Sequence, residues 1–245
     1  MRIAVLENDL GQSALICQVL TAAAHVCHGF HTGKDLLGQL RKDSYDMLIM
    51  NWQVPDLSGT EVVRRAREKL PPNAPVMFLT TNAGGNDIVA GLDAAADDYM
   101  IKPLRRTEMV VRVQALLRRA YPPQNGTEQL QFEKYVFEIQ PGRLLMDGAV
   151  LDVTHKEFSL ALLFFRNIGR PLSRAYIHEA VWLRDSALPS RTLDTHVSRV
   201  RNKLKLTPEN GFQLVPVYSY GYRLEKLPPL LASTSTVAPE TAHGG

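Results

Sequence analysis

The chain has 245 residues, enough for one large domain or two ordinary ones with separate cores. Its 45% hydrophobic and 22% charged content excludes wholesale disorder, and no apolar stretch approaches membrane-spanning length. The net charge of +3 divides evenly about residue 120, with 14 Lys+Arg against 13 Asp+Glu before it and 14 against 12 after it. Neither half is basic as a whole, so any sign of a polyanionic partner has to be local. The amino-terminal MRIAVLENDL meets acidic residues after a short apolar run, which fits neither a signal peptide nor a membrane span, and a cytoplasmic location is expected. Cys17 and Cys27 show no paired framework and are read as reduced thiols. His25, Cys27, His28 and His31 have metal-ligating chemistry, but alternation along a strand sets His28 on the face opposite Cys27 and His31, so no metal site is expected.

In the first half, strand-like apolar runs occur at Ile3–Leu6, Val26–Phe30, Met47–Met50, Val76–Leu79 and Asp98–Ile101. Helical patterns over about 11–23, 33–41, 60–70, 85–95 and 105–120 separate and follow them. Five strands joined by crossover helices predict an α/β fold, a doubly wound parallel sheet covered on both faces. In such a sheet functional groups gather beyond the carboxyl ends of the strands. Those ends carry Glu7, Asn8 and Asp9, then Asn51, then Thr80 and Thr81, then Lys102-Pro103.

Acidic residues, a polar strand-end residue, a hydroxyl and a lysine on one face describe a phosphoryl-transfer pocket. Residues 1–120, through "AVLEND", "NWQVPDLSG", "FLTT" and "GLDAAADDYMIKP" in that order, resemble the receiver domain of bacterial two-component response regulators. The resemblance implies that Asn51 occupies the phospho-acceptor position, where the family has aspartate. It implies an acidic pair at Glu7 and Asn8, a switch pair at Thr80 and Tyr99, and a pocket lysine at Lys102. Asn8 and Asn51 both depart from the pattern. An amide nitrogen delocalises its lone pair into the carbonyl and does not accept a phosphoryl group as a carboxylate does. Loss of the carboxylate at position 8 weakens any Mg²⁺ site, so Mg²⁺ binding is expected to be weak or absent and no cofactor is expected. Glu7 is left as the partner of Lys102. Two losses acting on one mechanism point to natural degeneration rather than an engineered block.

The segment 121–127, YPPQNGT, has linker composition, and a β-rich stretch with an Asp-Gly turn in "MDGAV" follows. Thr154 to Glu157 forms a capping box for a helix reaching about Asn167. Ser173 and Ser190 can cap two more, through Trp182 and through Leu204 or Lys205. A hairpin over about Gln213–Leu224 precedes a tail, 227–245, too poor in large apolar groups to fold alone. At 100° per residue Leu193, Val197, Val200 and Leu204 form one apolar stripe. Thr192, Thr195, His196, Arg199 and Lys203 form another face, and 191–205 holds five Lys/Arg against Asp194 alone. Hydroxyls and a histidine among arginines suit phosphates and base edges.

"LDVTHKEFSLALLFFRNIGRPLSRAYIHEAVW", "SRTLDTHVSRVRNKL" and "YSYGYRL" make 128–226 resemble the α+β winged helix-turn-helix domain of the OmpR/PhoB subfamily. The resemblance implies that the 190–205 helix enters the major groove and the hairpin is a wing. Arg191 and Thr192 would then meet phosphates, Thr195, His196 and Arg199 bases, and Arg201 and Lys203 the backbone. Tyr218 stands where the family commonly has a wing arginine, and Tyr218 or Tyr220 is left to meet sugar or phosphate. The subfamily also implies a receiver homodimer, for which Asp97, Asp98, Arg112, Arg118 and Arg119 supply charges. Asp98–Arg112 is the best positional match, and Ile88 replaces a family-type partner on the fourth helix. The expectation is a non-enzymatic regulator that reads promoter half-sites in double-stranded DNA as a homodimer without aspartyl phosphorylation, with a protein partner as a further source of input. The alternatives are a phosphorylation-switched regulator carrying an inactivating change at Asn51, and an interaction module that no longer reads DNA.

Overall fold

The computed structural model describes residues 1–81, 96–122, 129–182 and 190–228, with residues 190–192 described by backbone alone. The expected helix over 85–95 with Ile88, most of the 121–127 linker and the tail from residue 229 fall outside the described residues. In chain order the first half contains β1 (Arg2–Leu6), α1 (Leu10–Ala22), β2 (Val26–Phe30), α2 (Gly33–Leu40) and β3 (Met47–Asn51). It continues with α3 (Gly59–Arg67), β4 (Val76–Thr80), β5 (Asp98–Ile101) and α4 (Arg106–Ala120). The five strands form one sheet in the order β2-β1-β3-β4-β5, with every pairing parallel.

The continuous apolar runs of β1, β3 and β4 follow from burial on both faces. Successive side chains alternate between the two layers. Ala4, Leu6, Leu48 and Met50 pack with Leu36 and Val62 under α2 and α3, whereas Ile3, Val5 and Ile49 pack with Ile16, Leu20 and Val113 under α1 and α4. Each such fully buried Leu, Ile, Val or Met side chain stabilises the fold by about 1.5–3 kcal/mol. Local caps fix the helix starts. Asp9 accepts from the Gln12 amide, Thr32 from Asp35 and Ser58 from Glu61. Asp56 accepts from the amides of Gly33 and Lys34, which ties the turn after β3 to the start of α2.

The second half opens with a four-stranded antiparallel sheet, β6 (Gln129–Phe132), β7 (Tyr135–Glu138), β8 (Arg143–Met146) and β9 (Ala149–Leu151). Helices α5 (His155–Phe165), α6 (Arg174–Trp182) and α7 (Ser190–Lys203) follow, with the short strand β10 (Leu172–Ser173) just before α6. A hairpin of β11 (Phe212–Val217) and β12 (Gly221–Lys226) closes the domain and pairs with β10. The capping box at Thr154 and Glu157 is formed. Gly221 is required in the hairpin, because a Cβ there would collide with the Leu172 carbonyl of β10. The apolar stripe of α7, Leu193, Val197, Val200 and Leu204, is buried against a core that includes Phe158, Phe165 and Phe212.

Candidate functional sites: the strand-end pocket and the nucleic-acid face

The strand ends bring Glu7, Asn8, Asn51 and Lys102 together, with Thr80 at the end of β4. Glu7 is fully buried, and its Oε2 receives Lys102 Nζ at 2.6 Å. Its Oε1 receives the Asp9 amide at 3.2 Å and Asn51 Nδ2 at 3.3 Å. Asn51 Nδ2 also donates to Asn8 Oδ1 at 2.9 Å. The one buried carboxylate is therefore matched by a cation and two further donors, as a charge without water requires. Asp9 is turned away to cap α1.

A Mg²⁺ ion does not fit this donor set. Hard divalent cations need anionic oxygens, and here the only first-strand carboxylate in the pocket is paired with Lys102, while Asn8 supplies a neutral oxygen that Asn51 already uses. Among the described residues there is no group of three or more His, Cys, Asp or Glu placed to hold a metal. His28 and Cys27 indeed diverge: His28 Nδ1 meets the Tyr45 hydroxyl at 2.9 Å, whereas Cys27 packs with Cys17 on the α1 side. Thr80 is buried, and Tyr99 is half-buried beside Phe78, its register partner on β4.

On the β5–α4 side, Arg112 bridges Asp98 at 3.1 Å and Glu108 at 2.9 Å within one chain. Arg118 and Arg119 are exposed at the end of α4. Asp97 points elsewhere: its Oδ2 takes Arg67 at 2.8 Å and the Val76 amide at 2.7 Å. The apolar side chains of Ile101 in β5 and Val111 in α4 are exposed.

The face of α7 divides into two groups. Thr195 and Arg199 are exposed, as is Tyr218 at the hairpin tip, which is 96% accessible. His196 instead lies against Trp182, with ring centroids 5.3 Å apart; burial, with Arg199 nearby, holds its pKa below the ordinary histidine value. Arg201 Nε donates to the Leu214 carbonyl at 3.0 Å. Lys203 pairs with Glu157 at 2.8 Å; burial pushes that carboxyl up, but Lys203 and the Thr154 amide more than offset it. The side chains of Arg191 and Thr192 lie outside the described residues. Tyr220 is taken up elsewhere, its hydroxyl 2.9 Å from Ser44 Oγ of the first domain.

The chain thus joins a parallel sheet with a strand-end pocket to a winged helical domain. A family described as "Response regulator receiver domain" matches residues 3–114, and one described as "Transcriptional regulatory protein, C terminal" matches residues 148–224. The sensory transduction protein RegX3 of Mycobacterium tuberculosis is 32% identical over 200 residues, covering 79% of this chain and 85% of that protein. The transcriptional regulatory protein ResD of Bacillus subtilis is 29% identical over 231 residues, covering 91% and 95%. A crystal structure of response regulator DrrB, a Thermotoga maritima OmpR/PhoB homologue, aligns over 91% of this chain and 98% of that one, at 23% identity and a TM-score of 0.45. The chain belongs to the response regulators that join a receiver domain to an OmpR/PhoB-type DNA-binding domain. None of the described helices is long and apolar enough to cross a membrane.

Proposed function

We propose that this response regulator controls transcription by reading promoter half-sites as a homodimer, and that its receiver, over about 1–120, works without aspartyl phosphorylation. The observation that carries the reading is the hydrogen-bonding of Asn51. At the position where phosphoryl transfer needs a carboxylate nucleophile, the side chain presents an amide that donates to Asn8 and Glu7. Lys102, the cation that would meet a phosphoryl oxygen, is already neutralised by Glu7. Glu7, Asn8, Asn51 and Lys102 thus bond to one another within the pocket. Thr195, Arg199 and Tyr218 are the DNA contacts this reading favours, because they are the exposed members of the expected set among the described side chains. Arg191 and Thr192 remain proposed phosphate contacts. Arg201 and Lys203 keep secondary backbone roles that require giving up internal bonds.

The homodimer draws support from β5 and α4, which carry the exposed side chains Ile101 and Val111 as well as the Asp98–Arg112 pair. Arg118 and Arg119 extend that surface. Exposed apolar and charged groups together suit a self-complementary interface. Sedimentation equilibrium of the full chain is expected to show a dimer at micromolar concentration, unchanged by Mg²⁺ and beryllofluoride. Monomer under both conditions, or dimer only with beryllofluoride, contradicts the reading.

A further inference from the structure

At the amino ends of β1 and β3, the opposite end of the strands from Asn51, the receiver meets the DNA-binding domain through a buried polar seam. Its receiver side is the segment Asp43-Ser44-Tyr45-Asp46. The Ser44 amide is shared between Asp43 Oδ1 of its own domain at 3.0 Å and Ser173 Oγ across the seam at 3.3 Å, and the Ser173 amide donates back to Ser44 Oγ at 3.0 Å. Ser44 Oγ also meets the Tyr220 hydroxyl. Arg170 donates from Nη1 to Asp46 Oδ1 and from Nη2 to the Tyr45 carbonyl, both at 2.9 Å, and the Tyr176 hydroxyl donates to Asp46 Oδ1 at 3.0 Å. Arg2 pairs with Asp43 and lies 3.1 Å from Glu179, while the Ser173 hydroxyl donates to Asp43.

Asp43 and Ser44 are 5% exposed, and Asp46 and Ser173 only 1%. Charges withdrawn from water to this extent are costly unless paired, so poses that separate Asp43 from Arg2 or Asp46 from Arg170 are disfavoured. Burial alone pushes the Asp43 carboxyl up, yet Arg2 and Ser173 hold it below the ordinary carboxylate range. The docked residues are one step from the DNA-facing elements. Ser173 immediately precedes α6, and the Arg174 amide donates to the Tyr220 carbonyl at 3.0 Å. The Arg174 guanidinium pairs with Asp194 of α7 at 2.8 Å, and Asp194 also accepts from the Tyr222 hydroxyl of the hairpin. Contacts thus run without a break from Ser44 to the recognition helix and the wing. With the receiver in place, Thr195, Arg199 and Tyr218 still face outward.

We propose that the Asp43–Asp46 segment is a positioning element for DNA recognition: docked on Ser173 and Tyr220, it holds the wing and the recognition helix in the pose that reads DNA. The receiver then acts on the DNA-binding domain through this seam, whatever the chemistry at Asn51. The proposal rests on DNA reading by the carboxyl-terminal domain and is independent of the phosphorylation reading.

The test is amide hydrogen exchange of the full chain, free and bound to a duplex that the wild-type protein has enriched from a random library. The Ser44 and Ser173 amides, which donate across the seam, are expected to be slow in the free protein and no faster in the complex. In parallel, Tyr220→Phe, which removes only the hydroxyl facing Ser44, is expected to bind the same duplex about two- to tenfold more weakly, the worth of one hydrogen bond. Acceleration of the two amides by about tenfold or more on DNA binding overturns the proposal, because reading would then require undocking. Unchanged or tighter binding by Tyr220→Phe overturns it as well. A wild-type protein that enriches no duplex while both amides stay slow overturns the DNA reading, and the proposal falls with it for that separate reason.

Discussion

Replacing Asp46 with alanine is expected to lower the unfolding free energy of the full chain by about 3–5 kcal/mol, as measured by urea denaturation. Asp46 is 1% exposed and serves three donors: Arg170 and Tyr176 on Oδ1, and the Arg2 amide on Oδ2 at 2.8 Å. Burial works against the Arg170 charge, and Asp46 is the largest influence offsetting it. Without Asp46 the guanidinium stays in the seam unpaired, or the seam opens to hydrate it. Either route costs more than a surface ion pair, which is worth about 0–1 kcal/mol. Asp46→Asn keeps an acceptor but not the charge, and its loss should be smaller, about 1–3 kcal/mol. A loss below about 1 kcal/mol for the alanine variant would show that water already reaches the seam in solution.

Arg199→Ala is expected to weaken binding to a selected duplex by about 10- to 100-fold and to relax preference at one base position, measured by fluorescence anisotropy against single-base variants. Arg199 is exposed on α7, where a guanidinium can reach a base edge. Lys203→Ala is expected to do less to DNA binding, because its ammonium is spent on Glu157. An Arg199→Ala protein that binds as tightly and as selectively as wild type would leave α7 without its base reader and favour the interaction-module alternative.

The fold was legible because its signals are local and periodic. Continuous apolar strands, helical stripes and capping residues put β1 to β5 and the three helices of the second domain within a few residues of their observed bounds. The Glu7–Lys102 pair was legible too, since with amides at positions 8 and 51 the first strand end keeps only Glu7 and Asp9 as acids, and Asp9 stands where it caps α1. The division of the α7 face was not. A helical wheel places His196 and Lys203 beside Arg199, but it carries no information about Trp182 or Glu157, which come from other helices and claim them. The resemblance places Asp97 on the dimer surface; its pairing with Arg67 of α3 is a contact between distant segments that no local pattern marks. The seam was the least visible feature of all. Its partners lie more than 120 residues apart in the chain, Ser44 with Ser173 and Asp46 with Arg170, and neither segment has a periodic or compositional mark. Tyr220 shows the cost of that blindness: read as a candidate sugar or phosphate contact, it spends its hydroxyl on Ser44.

The central claim is that the receiver keeps its place in the fold without the aspartyl chemistry. The measurement that tests it most directly is labelling of the full chain by a small acyl phosphodonor carrying radioactive phosphate, in excess Mg²⁺, alongside Asn51→Asp. The wild-type protein is expected to gain no hydroxylamine-sensitive label. Asn51→Asp is expected to gain little, since Asn8 still leaves the metal site short of a carboxylate and Lys102 is still held by Glu7. Full labelling of the variant alone would favour a phosphorylation-switched regulator caught in an inactive form, and stoichiometric hydroxylamine-sensitive label on the wild-type chain would contradict the account outright.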